Sequence, residues 1–444
     1  MMECATLLTM LRFLMFCYLV LTPSYLCVFS SRIHKSPVLM KLEAKDVSHV
    51  SSKLNSNKLP RKLWFNHNVT LTATLSVGSP PQTVTMVLDT GSELSWLHCK
   101  SSPNAASPFS PTLSSTYSPV PCSSQTCTAQ TRDFTIPASC DPNNLCHAIL
   151  SYADSSSAEG NLATENFRVG DSDLSGVVFA CMDTGFSSNP GEDAKTAGLL
   201  GLNLGALSFV SQMGASKFSY CIPGRESAGV LLFGETQYPW LKPLSYTPLV
   251  RVSTRLPSFD RVAYTVQLAG IRVANTVLDI PESVLKPDHT GAGQTMVDSG
   301  TQFTFLLGPA YTALKNEFTK QTQGVLTPLN DPDFVFQGAM DSCFLVGSSG
   351  PSFDGLPYVT LMFDGAELSV SGAKLLYQVP GMTRGSDQVF CLTFGNSDLL
   401  GTEAYVIGHH HQQNKWMEFD LANSRMGLAE MDCDSVAQRL DLLN

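Results

Sequence analysis

Two short stretches constrain this chain more than anything else in it. Val87-Leu88-Asp89-Thr90-Gly91-Ser92 and Met296-Val297-Asp298-Ser299-Gly300-Thr301 place their aspartates 209 residues apart. In each, an apolar run ends in a carboxylate, and small hydroxyl residues and a glycine follow at once. That is a carboxylate presented at a turn, with its strand anchored in a core and a glycine permitting close backbone approach. Each copy is followed by an apolar-apolar-Gly triplet at a matched distance. Leu199-Leu200-Gly201 puts its glycine 112 residues after Asp89, and Val406-Ile407-Gly408 puts its glycine 110 residues after Asp298. Matched pairs at matched spacing imply two similar lobes, each offering one aspartate to a shared site.

The length of 444 residues accommodates two such lobes. Charge is unevenly distributed. Residues 31–62 carry a net +6, whereas residues 63–444 carry a net −16, an acidic body that argues against a nucleic-acid partner. The apolar block Leu14 to Leu21 behind Arg12 suits a secretory signal over residues 1–30 better than a transmembrane anchor. No later run is apolar enough for a helix to span a bilayer, so stable membrane insertion after signal removal is not expected. Of 13 cysteines, three fall in that signal, leaving an even ten, as an oxidising compartment favours. Asn68-Val69-Thr70 is a glycosylation sequon, consistent with secretion. The chain does not end in a retention signal such as Lys-Asp-Glu-Leu. Export to the extracellular space is therefore the expectation, with the endoplasmic reticulum and a vacuole as alternatives.

Residues 31–65 are basic and Ser-rich, and read as a linker or as a propeptide lying across an acidic cleft. On the second reading, acidification would protonate the cleft carboxylates and release the segment. Val69 to Gly78 alternates apolar and hydroxyl residues as a half-buried strand, Pro80-Pro81 turns it, and Val84 to Leu88 runs back into Asp89. Residues 99–146 form a Ser/Pro/Cys-rich insert with few large apolar side chains, so it must be stapled rather than packed. A zinc site there would need closer cysteine pairs than Cys122 and Cys127 offer. Ser208 caps a short helix, and Pro309 to Gln323 reads as a helix with Tyr311, Leu314 and Phe318 on one face. Tyr264 to Val273 reads as a strand and Trp240 to Thr247 as an interlobe connection. The whole reads as mainly β.

These features resemble the pepsin-like (A1) aspartic proteases, over nearly all of the chain after about residue 66. The Cys-rich insert resembles the plant nepenthesin-type branch, and within it the promotion-of-cell-survival-like members. The resemblance implies a bilobal, mainly β fold with an active-site cleft between two lobes, here 66–240 and 241–444. It implies an endopeptidase acting on polypeptide substrates by water activated between Asp89 and Asp298, with an acidic optimum, no cofactor, no metal and a monomeric state. By position, Ser92 and Thr301 match hydroxyls that bond the outer carboxylate oxygens. Thr90 and Ser299 match residues that tie the two loops together beside Gly91 and Gly300. Tyr152 resembles the flap tyrosine over substrate, and Trp96 the indole that holds it. The resemblance also implies disulfides Cys343–Cys391 and Cys221–Cys433. Cys99, Cys122, Cys127, Cys140, Cys146 and Cys181 then pair among themselves in an open connectivity.

His409-His410-His411 invites a metal reading, but adjacent histidines on a strand point to opposite faces, so the triplet reads as structural or surface. A second class of function is a secreted binding or inhibitor protein on the same fold. Plant relatives of that kind have lost catalytic residues, whereas this chain keeps both aspartates, both glycines, Tyr152 and Trp96.

Overall fold

The computed structural model describes residues 36–47, 68–100, 108–224, 226–347 and 353–443. The expected signal lies outside them, as do residues 48–67. The fold is mainly β, and residues 37–444 form one compact unit.

Alternating sequence makes the first hairpin. In the Val69–Val77 strand alternate side chains enter the core, and it pairs antiparallel with Gln82–Asp89, which delivers Asp89 at its end. Gly198–Gly201 then runs parallel to Gln82–Asp89, with Leu200 beside Leu88 and Gly201 beside Asp89. The second half repeats this arrangement. Gln294–Val297 is parallel to Ala404–Ile407, with Val297 beside Ile407, and Asp298 follows directly. The region read as one strand from Tyr264 is split into Thr265–Val266 and Leu268–Val273. The helix Gly308–Gln321 buries Tyr311, Leu314 and Phe318, and Ser208 caps Phe209–Met213 by accepting from the Ser211 N–H.

The two halves share a floor. Six antiparallel strands lie side by side in the order Ser245–Pro248, Arg425–Glu430, Lys415–Asp420, Lys217–Cys221, Ala228–Phe233 and Val38–Asp46. Strands from both expected lobes therefore interleave, and Phe218 stacks on Phe419 across them with ring centroids 4.6 Å apart. Cys221 is bonded to Cys433, tying this floor to the terminal helix Cys433–Arg439.

Within the segment read as a basic propeptide or linker, 31–65, Val38–Asp46 is a strand with a fixed place in the sheet. It pairs with Ala228–Phe233 on one side and with Val69–Val77 on the other. Val38, Met40, Leu42 and Ala44 are buried in the main core. Lys41 and Lys45 flank Glu43 at 3.1 and 3.0 Å, so their charges are met on the strand itself and not in a cleft. Its Val-Leu-Met-Lys-Leu-Glu-Ala stretch alternates with period 2, as a half-buried strand does.

The insert is stapled as its composition requires. Cys122 bonds Cys140, Cys127 bonds Cys146, and Cys99 bonds Cys181 of the long strand Ser172–Phe186. In the second half Cys343 is bonded to Cys391, directly opposite in register. Asn68 is only 8% exposed and its Nδ2 is enclosed without a hydrogen-bond partner. The amide nitrogen of the expected sequon is thus enclosed in this packing, which speaks against a glycan there.

Candidate active site

The apolar-apolar-Gly triplets explain themselves in the structure. A Cβ on Gly201 would meet the carbonyls of Leu94 and Ser92 at 2.6 and 2.8 Å, and one on Gly408 would overlap the carbonyl of Phe303. Each triplet therefore slides its strand under the adjacent Asp loop, where only glycine fits. The Leu202 N–H donates to the Asp89 carbonyl at 2.8 Å, and the Asp298 N–H to the Ile407 carbonyl at 3.1 Å.

The two loops are tied by a pseudo-twofold set of hydrogen bonds. Thr90 N–H donates to Ser299 Oγ at 3.0 Å, and Ser299 N–H donates to Thr90 Oγ1 at 2.9 Å. Each hydroxyl in turn donates to the carbonyl preceding the other aspartate. Thr90 Oγ1 reaches Val297 O at 3.2 Å, and Ser299 Oγ reaches Leu88 O at 3.0 Å. Both hydroxyls are buried, so these bonds fix the spacing of the two loops without competition from water.

The carboxyl groups are held alike. Gly91 N–H donates to Asp89 Oδ1 at 2.7 Å, and Gly300 N–H to Asp298 Oδ1 at 2.9 Å. The Ser92 hydroxyl donates to Asp89 Oδ2, and the Thr301 hydroxyl to Asp298 Oδ2 at 2.6 Å. A Cβ on Gly300 would overlap the Asp89 carboxylate, and one on Gly91 would lie 3.0 Å from Asp298 Oδ1. The two glycines are thus what allows each inner oxygen to reach across to the opposite loop. The carboxyl groups lie within hydrogen-bond reach of each other. Burial, and then the Asp298 charge, hold the Asp89 carboxyl well above the ordinary carboxylate range.

Above them stands a hairpin formed by Cys146–Ser151 and Ser157–Val169. Tyr152 opens its turn, and its Oη accepts from Trp96 Nε1 at 2.7 Å. Asp154 braces the turn by accepting from Ser156, Ser188 and Asn189. Asp89, Asp298, Tyr152 and Trp96 line one cleft of about 790 Å³.

Sequence reasoning missed the support beneath Asp298. Gln412 Nε2 donates to the carbonyls of Ile407 at 2.7 Å and Asp298 at 3.2 Å, and its Oε1 accepts from the Tyr220 hydroxyl. Nothing in one sequence marks Gln412, since Tyr220 lies 192 residues away. In the first half, Asn203 plays the comparable part by donating to the Gly91 carbonyl at 3.1 Å.

The histidine triplet is structural, as one of its two readings had it, and only its assignment to a strand is corrected. It is a one-turn helix, His409–Gln412, rather than a strand, and all three histidines are buried. Thr393 Oγ1 donates to Lys374 O, so it accepts from His411 Nε2 at 2.8 Å. His411 Nδ1 lies 2.7 Å from Thr304 Oγ1, which also accepts from Gly408 N–H. His410 Nε2 donates to Lys374 O at 3.0 Å. Burial, then the Lys374 charge, push His410 down to about 3, and burial with neighbouring cations holds His411 well below its ordinary value.

The stability these rings confer is therefore complete above their unfolded value of about 6.5 and drains as pH falls towards about 3. Asp89 runs oppositely, because a raised carboxyl stabilises at low pH and loses that contribution as pH rises through its raised value. The melting temperature is accordingly expected to drop on acidification below about pH 6.5, and His410→Gln to flatten that drop. Equal acid profiles in the two proteins would rule out His410 as a source of the acid limit.

Comparison with known proteins agrees with this geometry. Residues 72–235 match the family described as xylanase inhibitor N-terminal, and residues 263–430 the family described as xylanase inhibitor C-terminal. The chain is 62% identical over 389 residues to aspartic proteinase PCS1 of Arabidopsis thaliana, covering 86% of each. It is 30% identical to aspartic proteinase nepenthesin-2 of Nepenthes gracilis, covering 81% of this chain and 77% of that one. Two crystal structures share the fold. One is edgp, with a TM-score of 0.64 and 21% identity over 90% of this chain and 96% of that one. The other is basic 7S globulin from soybean, with a TM-score of 0.62 and 19% identity over 89% and 97%. The duplicated Asp-Thr/Ser-Gly loops and the 62% identity to PCS1 over 86% of each chain together mean that this chain belongs to the pepsin-like aspartic proteases, in their plant, nepenthesin-type branch.

Proposed function

We propose that this chain is an aspartic endopeptidase that hydrolyses internal peptide bonds with water activated between Asp89 and Asp298. The symmetric hydrogen-bond set around the two carboxyl groups carries this reading, because both partners are present on both sides. Two carboxyl groups this close cannot both ionise cheaply, so the pair holds one proton over an acidic window. The ionised member takes a proton from water as the oxygen attacks the scissile carbonyl carbon. The protonated member gives its proton to the carbonyl oxygen. The member that took the water proton then gives it to the amide nitrogen while the other takes a proton from the tetrahedral diol, so the C–N bond breaks, a carboxylic acid and an amine are released, and the pair returns to its starting state. Tyr152, held by Trp96, would close over the extended substrate.

On this reading residues 1–30 are a signal, 66–240 and 241–444 the two lobes, and the protein acts in the secretory pathway, outside the cell in the first instance. Five disulfides among the described residues suit an oxidising compartment.

The second reading is a binding or inhibitor protein on the same fold, favoured by the two family descriptions that the chain matches. Cleavage of denatured casein at acidic pH separates the two. We expect cleavage that pepstatin abolishes. A folded protein that binds pepstatin without cutting any denatured substrate would favour the second reading.

A further inference from the structure

The hairpin that carries Tyr152 has a tip and a root. Residues 149–154 and 156–158 line the cleft, and His147, Glu159 and Asn161 follow directly behind them on the same two strands. His147 is opposite Asn161 in register, and Glu159 is opposite Ile149. Ala148 and Leu150 on one strand, and Ala158, Gly160 and Leu162 on the other, are buried. Alternation therefore puts His147, Glu159 and Asn161 together on the outer face. At the same level the neighbouring strand Ser172–Phe186 pairs through a bulge between Glu159 and Gly160, a feature that bends a strand locally.

His147 Nε2 lies 2.9 Å from Glu159 Oε1, and His147 Nδ1 lies 3.0 Å from Asn161 Oδ1. The Asn161 amide is fixed in this orientation, because its Nδ2 donates to Asp141 Oδ2 at 2.9 Å. Asp141 also accepts from the Leu145 N–H at 2.7 Å and the Asn143 N–H at 2.9 Å. The Leu145 bond, and then Asn161, hold its carboxyl below the ordinary carboxylate range. Both ring nitrogens of His147 thus face acceptors, and the imidazolium is the form that supplies a hydrogen to each. A neutral ring keeps one bond and turns a lone pair towards the other oxygen. Of the other elements alongside, Ser139–Cys140 places the uncharged Ser139 opposite His147. Ser172–Phe186 carries Asp183, which is paired with Lys100 at 2.9 Å.

The root is tied to the Cys-rich insert by Cys127–Cys146, next to His147, and by Cys122–Cys140 on the adjoining strand. The tip is held by Asp154, as described above. Between these anchors the side-chain tie across the two strands runs through His147.

We infer that His147 is a positioning residue of the hairpin: as an imidazolium it ties the two strands together behind Tyr152, and on losing its proton it lets them loosen. The inference rests on the peptidase reading for what the hairpin closes over. Histidine is the side chain whose charge changes between about pH 5 and 8, so the tie is complete in acid and is lost as pH rises. The roof of the cleft is then most ordered in the same acidic range in which the Asp89–Asp298 pair holds its shared proton.

The test is hydrogen–deuterium exchange of the amides of residues 149–159 in the full chain, corrected for intrinsic rates, at about pH 5 and pH 7.5. Protection in the parent is expected to be about threefold greater at the lower pH, the size of a partly exposed ion pair, since the side chains of His147 and Glu159 are 22% and 50% exposed. His147→Gln should show the weaker protection at both pH values. Glu159→Gln should keep the stronger protection at both, because its amide accepts from the imidazolium and can donate to the neutral ring. With an internally quenched peptide, kcat/KM of His147→Gln is expected to lie about threefold below that of the parent at about pH 5 and to meet it as pH rises towards 7. A loss that is equal at every pH marks a merely structural residue and overturns the inference. So does parent protection that is the same at both pH values, or a pH dependence that survives in His147→Gln. Protection that depends on pH in the parent and in neither variant, in a chain that cuts no denatured protein, would sustain the tie while the peptidase reading fails.

Discussion

Asp89→Asn and Asp298→Asn are each expected to lower peptidase turnover by at least about 10²–10⁴-fold, the contribution of a positioned acid–base group. The expectation is large because neither carboxyl group has a substitute. Each inner oxygen is held by the glycine N–H of its own loop and lies against the glycine of the opposite one, and no third carboxyl group appears in the hydrogen bonds of the pair. An asparagine keeps an oxygen for the Gly91 or Gly300 N–H, and the Ser92 or Thr301 hydroxyl can turn to accept from the new amide. The fold should therefore persist, with a melting temperature near that of the unmodified chain. Turnover is measured with an internally quenched peptide at acidic pH. A folded Asp298→Asn protein with turnover close to the parent would refute the dyad.

The second large effect concerns the Val38–Asp46 strand. A chain beginning at Ser36 is expected to fold, whereas one beginning at residue 48 is expected to lose cooperative folding. Removing the strand strips hydrogen-bonding neighbours from Ala228–Phe233 and Val69–Val77 at once. It also withdraws Val38, Met40, Leu42 and Ala44 from the core, the three larger ones contributing about 1.5–3 kcal/mol each. That loss is comparable with the whole stability of a typical fold, about 5–15 kcal/mol. Secretory expression and a thermal melt followed by circular dichroism decide the matter. A sharp melt and full activity in the chain beginning at residue 48 would return this segment to the role of a removable propeptide.

Legibility in the sequence followed the range of the interactions. The Asp89 and Asp298 loops could be read directly, because their chemistry is local: a strand, a carboxylate, a hydroxyl and a glycine within five residues, written twice. The companion triplets were legible as a spacing, although the reason for their glycines, the crossing of Ser92, Leu94 and Phe303 carbonyls, appears only in three dimensions. The mainly β character and the Gly308–Gln321 helix followed from periodicity of 2 and 3.6.

What the tertiary structure alone decided involves partners far apart in the chain. The Val38–Asp46 strand alternates as a strand should, yet its place between Ala228–Phe233 and Val69–Val77 depends on a gap in the sheet that local sequence cannot express. Asn68 sits in a sequon, but Nδ2 is enclosed where residue 68 meets Gln302 across the molecule. The histidines became a buried turn because Thr304, Thr393 and the Lys374 carbonyl surround them with hydrogen-bonding groups. Burial at the cleft, which the chain order does not announce, holds the Glu93 carboxyl above its ordinary range. Local pattern thus determined which groups the chain offers, and packing at long sequence separation decided which are buried, paired or left facing the cleft, because the free energy of a charge or polar group is set by its neighbours and not by its position in the chain.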